Sequence, residues 1–157
     1  MRQTGFTLLE LLMVIAIIGV LAVLVFVAAR SARDKAEDAR VQAAISQLRR
    51  VVEEYYNDNN GYQNWDLCVA TPTAANCVSQ SIANSVITLK SEIQAANGQS
   101  NSLTVLAGAK SFCMIAPIVT NPTQGACSDA TGKSALTPLS PGCKTDNSGP
   151  VPVYSCS

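Results

Sequence analysis

From Leu11 to Ala29 the chain carries no polar side chain: LLMVIAIIGVLAVLVFVAA, nineteen residues with one glycine, Gly19, and no proline. At roughly 1.5 Å per residue a helix of that length extends about 28 Å, close to the hydrocarbon thickness of a bilayer. The run is apolar on every side, unlike the one-faced stripe of a surface helix. A chain of 157 residues is too short to wrap such a helix completely. The pattern therefore predicts a membrane-spanning helix. After Arg30 the pattern becomes amphipathic. Val41, Ile45, Leu48, Val52 and Tyr55 recur at spacings of four, three, four and three, with Arg40, Gln47, Arg49, Glu53 and Glu54 between them. Gly and Pro are absent between Val20 and Asn60, so span and stripe read as one helix of about fifty residues. It ends at DNNGY, where Asn60-Gly61 supplies a turn and a left-handed cap.

Beyond Gly61 the periods are shorter. Ile82, Val86, Leu89 and Ile93 predict a helix over Ser79 to Ala96. Ser102 to Ala107 and Ala109 to Val119 read as strands with Gly108 as a break between them. Asn121 to Gly125 is a turn signal, and Ala126 to Ala130 a short third strand. The expected fold class is α+β: one long N-terminal helix with a small antiparallel sheet laid on its outer half, burying Val41, Ile45, Leu48 and Val52. Tyr55, Tyr56, Tyr62 and Trp65 are expected to pack that helix against the head. The domain reading is 1–5 as a leader, 6–29 as the membrane helix, 30–60 as its amphipathic continuation and 61–157 as the head.

Charge changes this picture mainly by exclusion. Lys+Arg and Asp+Glu are 11 each, histidine is absent, and 14% of residues are charged, against roughly 25% in typical soluble proteins. Zero net charge and the scarcity of bases near the aromatic cluster argue against a nucleic-acid partner. Without histidine the chain lacks the commonest general base and metal ligand. The sequence shows no P-loop, dinucleotide fingerprint, nucleophile elbow or paired-carboxylate site, so neither an enzyme activity nor a cofactor is expected. Asp129, beside Thr131 and Gly132, has the composition of a turn-capping aspartate. The charged run ARDKAEDAR, 32–40, reads either as a solvated helix face or as a contact between subunits.

All six cysteines, Cys68, Cys77, Cys113, Cys127, Cys143 and Cys156, lie in the head. An even count confined there reads as disulfides in an oxidising compartment. Zinc would favour Cys-x2-Cys pairs, which are absent, so no metal is expected. The expected pairing is nearest neighbours: Cys68 with Cys77, Cys113 with Cys127, Cys143 with Cys156. Arg30, Arg33 and Lys35 outnumber Arg2 across the span, which taken alone would put the head inside the cell. The cysteines put it outside. The span is longer than the roughly 7–15-residue core of a secretory signal, although Ala28 and Ala29 would serve as a cleavage site after it.

Ahead of the span stands Gly5-Phe6, with Glu10 four residues on. GFTLLELLMVIAIIGVLA resembles the N-terminus of type IV pilins and the related pseudopilins, closely over the first thirty residues and more loosely to Tyr56. The resemblance implies cleavage between Gly5 and Phe6 by a prepilin peptidase, and N-methylation of Phe6. It also implies a helix retained first as an inner-membrane anchor and then as the core of an extracellular filament. The implied partners are other copies of the chain and other pilins, and an inner-membrane assembly platform with a cytoplasmic ATPase. A pseudopilin of a type II secretion system is the nearest alternative, and a single-span membrane enzyme or receptor a remote one. A disulfide-bounded C-terminal loop, common in pilins, supports Cys143 with Cys156. The C-terminal region of some pseudopilins ligates a cation, which makes that the second reading of Asp129. Where many pilins have a proline in the span, this chain has Val27.

Glu10 is the one carboxylate at the edge of the apolar run. A charged acid within a span costs on the order of 2.5–3.5 kcal/mol on insertion scales, so it needs a cation or a proton. Cleavage at Gly5 would create the cation, the amine of Phe6. That amine can reach Glu10 of its own chain, four residues on, or of a neighbouring chain; the pilin resemblance implies the latter. N-terminal analysis of the mature protein is expected to begin at Phe6, with Arg2 lost. A chain beginning after Ala29 would contradict this.

Overall fold

A computed structural model describes residues 7–98, 103–147, 149–150 and 152–157. The first element, α1, is a helix over Leu8–Asn59, 52 residues long. Contacts divide the chain after Lys35 into two compact units, the second being Ala36–Ser157.

In the first unit α1 presents apolar side chains all round, as its sequence demands. Among its large apolar side chains exposure is lowest at Val14, 47%, and reaches 78% at Leu8. This helix is long and apolar enough to cross a membrane.

In the second unit the stripe predicted from spacing is the core. Val41, Leu48 and Val52 are fully buried, and Ile45 and Tyr55 nearly so. Asn60 ends the helix with φ 54°, so the left-handed cap falls on the asparagine and not on Gly61. The Tyr55 hydroxyl donates to the Gln63 carbonyl at 2.7 Å, folding the chain back along the helix end. A six-residue helix, α2 (Trp65–Ala70), follows, which the sequence pattern did not predict. It buries Trp65 against Tyr55, ring centroids 5.3 Å apart, with the indole N–H on the Met114 sulfur at 3.3 Å. Next comes α3 (Gln80–Asn97), capped by the Ser79 hydroxyl, which accepts the Ile82 N–H, and closed by Gly98 at φ 67°. Its buried face is Ile82, Ala83, Val86, Leu89, Ile93 and Ala96.

Four strands then form an antiparallel meander: β1 (Thr104–Ala107), β2 (Phe112–Pro117), β3 (Gln124–Asp129) and β4 (Ser134–Pro138), in that order. Ser102 lies outside the described residues. The expected turn contracts to Pro122–Thr123, and Gly125 belongs to β3. A Cβ there would stand 2.7 Å from the Ala116 carbonyl, so glycine is required by close approach. Three strands are absent from the sequence reading: β4, and β5 (Cys143–Asp146) and β6 (Val153–Cys156), which make a separate hairpin. The meander is buried on both faces along β2. Phe112, Met114, Ala116 and Ala126 join the main helical core, while Cys113, Ile115 and Cys127 face Cys143, Tyr154 and Cys156 of the hairpin. Helices, meander and hairpin are thus three layers, and the long helix, four-stranded sheet and disulfides fit a pilin-like α+β fold.

The disulfides follow the layers, which corrects the expected pairing. Cys68 joins Cys77, but Cys113 joins Cys143 and Cys127 joins Cys156. Register is the reason. Cys113 lies across from Asp129 and Cys127 from Ile115, so the two are diagonal on one face. Cys143 faces Cys156 across the hairpin. Each layer therefore offers two sulfurs to the other, and the bonds run between layers instead of within them.

The two interlayer bonds close segments with sequence separations of 30 and 29, against 9 for Cys68–Cys77. On the chain-entropy rule that is about 3.6 kcal/mol each against about 2.6. Replacing Cys113 and Cys143 together by Ser is expected to lower the urea midpoint of the head more than replacing Cys68 and Cys77. Equal midpoints would show that loop closure does not govern the difference.

Candidate functional site

The N-terminal site is built around Glu10. Its partners are on Thr7: the Thr7 N–H and hydroxyl donate to the carboxylate at 3.0 and 2.8 Å. The Glu10 N–H returns a 3.3 Å bond to the Thr7 hydroxyl oxygen. This is a reciprocal capping box, Thr-x-x-Glu, which satisfies free N–H groups at the helix start. Sequence reasoning missed Thr7, although the spacing was there to be read. Gly5 and Phe6, assigned to cleavage and methylation, lie outside the described residues. Around Glu10 the helix is bare: Leu8, Leu9, Leu11, Leu12 and Met13 are all exposed. The site is a carboxylate held by two neutral donors at the mouth of an apolar surface. A cation brought to it would find a partner already oriented.

The buried carboxylates of the head serve structure. Asp38, from the charged run, exposes only 7% and accepts the N–H groups of Val119 and Thr120 at 2.6 and 3.2 Å, with the Thr120 hydroxyl on its other oxygen. It fixes the end of β2 to α1 and is neither a solvated face nor a surface free to meet another subunit. Asp129 exposes 1%. One oxygen accepts the Thr131 N–H and hydroxyl and the Lys133 N–H; the other takes the Cys156 N–H at 2.9 Å. Burial alone would push its carboxyl up. The four hydrogen bonds, the Thr131 hydroxyl foremost, outweigh burial and hold it below the usual range. Asp129 is thus the turn cap expected from composition, with an added role: it pins the last strand. Gly132, at φ 95°, completes the turn, and the Arg49 guanidinium donates to its carbonyl at 3.3 Å.

The expected aromatic cluster is present. Tyr62 lies between Tyr56 and Phe112, with centroids at 4.6 and 4.9 Å. Its hydroxyl donates to Glu53 at 3.2 Å. Burial, and then the Glu53 charge, push its pKa up to about 12. All six cysteines are in disulfides, so the close sulfurs of Cys113, Cys127 and Cys143 are not free thiolates.

Residues 1–26 match the family model of the prokaryotic N-terminal methylation motif. The match takes in Gly5, Phe6, the Thr7–Glu10 box and the helix as far as Phe26, and is consistent with a type IV prepilin or pseudopilin. No curated protein and no solved structure matches the chain. The motif is that of structural, pilin-type proteins, and with the apolar helix it fits a chain anchored in the inner membrane.

Asp129 supplies a test of the head. Its folded pKa lies below the ordinary value near 3.8. Its stabilisation is therefore complete above that value and is lost as pH falls through it toward the folded pKa. Asp129→Asn is expected to cost about 1–3 kcal/mol at neutral pH. It should also flatten the acid limb of stability against pH, followed by urea midpoints from neutrality to pH 3. An unchanged acid limb would show that other carboxylates govern it.

Proposed function

We propose that this chain is a pilin. It is a structural subunit that waits in the inner membrane and then polymerises through α1 into a type IV filament on the cell surface, for adhesion, motility or DNA uptake. The observation that supports the reading best is one helix whose first half, Leu8 to Val27, exposes apolar side chains on every side behind a methylation motif. Such a surface demands apolar cover from lipid or from identical helices. Both environments accept it, so transfer between them costs little hydrophobic energy.

Glu10 supplies the register. In lipid its carboxylate rests on Thr7. In a filament the amine of an incoming Phe6 replaces those neutral donors with a charge, and any other stagger leaves the acid facing a dry core. Prepilin peptidase creates that amine, and methylation keeps it cationic. The assembly platform and its ATPase supply the work of extraction. The three-layered, disulfide-bonded head becomes the outer surface, where covalent ties add to its core.

Glu10→Val, expressed as the sole copy, is expected to leave membrane insertion and cleavage largely intact and to abolish filaments. Immunoblotting of the membrane and sheared-surface fractions reads both. Normal filaments from the variant would end this account of Glu10. Mass spectrometry of sheared wild-type filaments tests the wider reading. Absence of the chain from them, with lost protein secretion on its deletion, would favour the pseudopilin.

A further inference from the structure

The disulfides Cys113–Cys143 and Cys127–Cys156 lie side by side in the small apolar cluster between meander and hairpin. The Sγ atoms of Cys113 and Cys127 belong to different bonds, yet they are 3.4 Å apart. The sulfurs of Cys113, Cys127 and Cys143 all lie within 4.8 Å of one another. Cys143 and Cys156 stand opposite each other in the hairpin register. Cys113, Cys127 and Cys143 therefore each have a second sulfur at hand besides the bonded one, and Cys156 shares its register position with Cys143. Cys113 and Cys127 are fully buried and Cys156 nearly so, whereas Cys143 is half-buried and reachable from solvent. Cys68–Cys77 belongs to the other cluster, away from these four.

We infer that these four cysteines form a thiol–disulfide exchange network entered at Cys143, whose co-reactant is a small thiol or a dithiol protein of the compartment holding the head. The thiolate bonds to the Cys143 sulfur, and the Cys113–Cys143 bond breaks with its electron pair on Cys113. The Cys113 thiolate bonds to the Cys127 sulfur, and Cys156 leaves as a thiolate. Cys156, whose strand position pairs with that of Cys143, then bonds to the Cys143 sulfur and expels the original thiol. Three bonds form and three break, nothing is oxidised or reduced overall, and the co-reactant is regenerated. The exchange converts interlayer bonds into bonds within each layer. The hairpin is then held on the meander by contacts such as Cys156 N–H to Asp129 and the Lys133 ammonium to the Cys156 carbonyl at 3.1 Å. The group is a modification site that governs whether the C-terminal hairpin is covalently fastened.

Full-length protein in detergent tests this. Cys156→Ser leaves one thiol. Exchange would let Cys127 attack Cys113 and release Cys143, so alkylation after acid quenching should label both Cys127 and Cys143. Peptide mapping should then find Cys113–Cys127. Label on Cys127 alone, with Cys113–Cys143 intact, overturns the inference. Wild-type protein gives a second test that needs no variant to fold. Glutathione below stoichiometric amounts should cause partial loss of the Cys113–Cys143 peptide and gain of Cys113–Cys127, with Cys68–Cys77 unchanged. Three unchanged pairs, or loss at Cys68–Cys77 as well, would equally overturn it.

Discussion

A helix that must satisfy two solvation demands along one axis constrains everything else in this protein. The first half of α1 exposes apolar side chains on all sides. The second half has a single apolar stripe, Val41 to Tyr55, which the chain covers fully. The head is built on that stripe: α3 and the inner face of the meander complete its core, and Trp65 and Tyr62 seal the helix end. Because the head is satisfied by the stripe alone, the bare half remains free for lipid or for other helices. A core spread over the whole of α1 would remove that freedom.

The head is poor in charge, and two of its structural anchors are buried carboxylates. Asp38 ties α1 to the end of β2; Asp129 ties the β3–β4 turn to the C-terminal strand. Each spends its oxygens on backbone N–H groups and hydroxyls, so each holds a loop that has little apolar area of its own. A buried acid stripped of those donors would be costly, which makes both positions demanding of sequence. The disulfides act on the same weak point, since hairpin and meander meet through few apolar side chains besides the cysteines.

Much of this was legible before any coordinates. The 3.6-residue period located α1 and α3 to within a few residues, because long periodic helices declare themselves. The motif at Gly5 to Glu10 gave the family likeness. Asp38 was legible too, had the stripe been followed backwards: it stands three residues before Val41 and continues the same spacing. Its charge hid it. What local pattern could not supply was pairing between layers. The strands β4 to β6 are short and rich in Ser, Thr and Lys. The nearest-neighbour disulfide reading failed because sequence distance says nothing about which face of a sheet a hairpin will cover. The helix α2, six residues around Trp65, is too short to show a period.

The crossed disulfides also set how far this head can be stretched. Cys113 and Cys156 are the ends of a segment that, unbonded, would extend to about 145 Å at roughly 3.4 Å per residue. With Cys113 tied to Cys143 and Cys127 to Cys156, the shortest covalent route between those ends runs through one disulfide and the hairpin or one disulfide and the β2–β3 arm. Either route spans only about 50 Å when fully extended. Two parallel routes share any tension, so neither arm carries the load alone. A head pulled at those two ends would meet a short, stiff tether, and would keep its contour when the hydrogen bonds beneath had yielded.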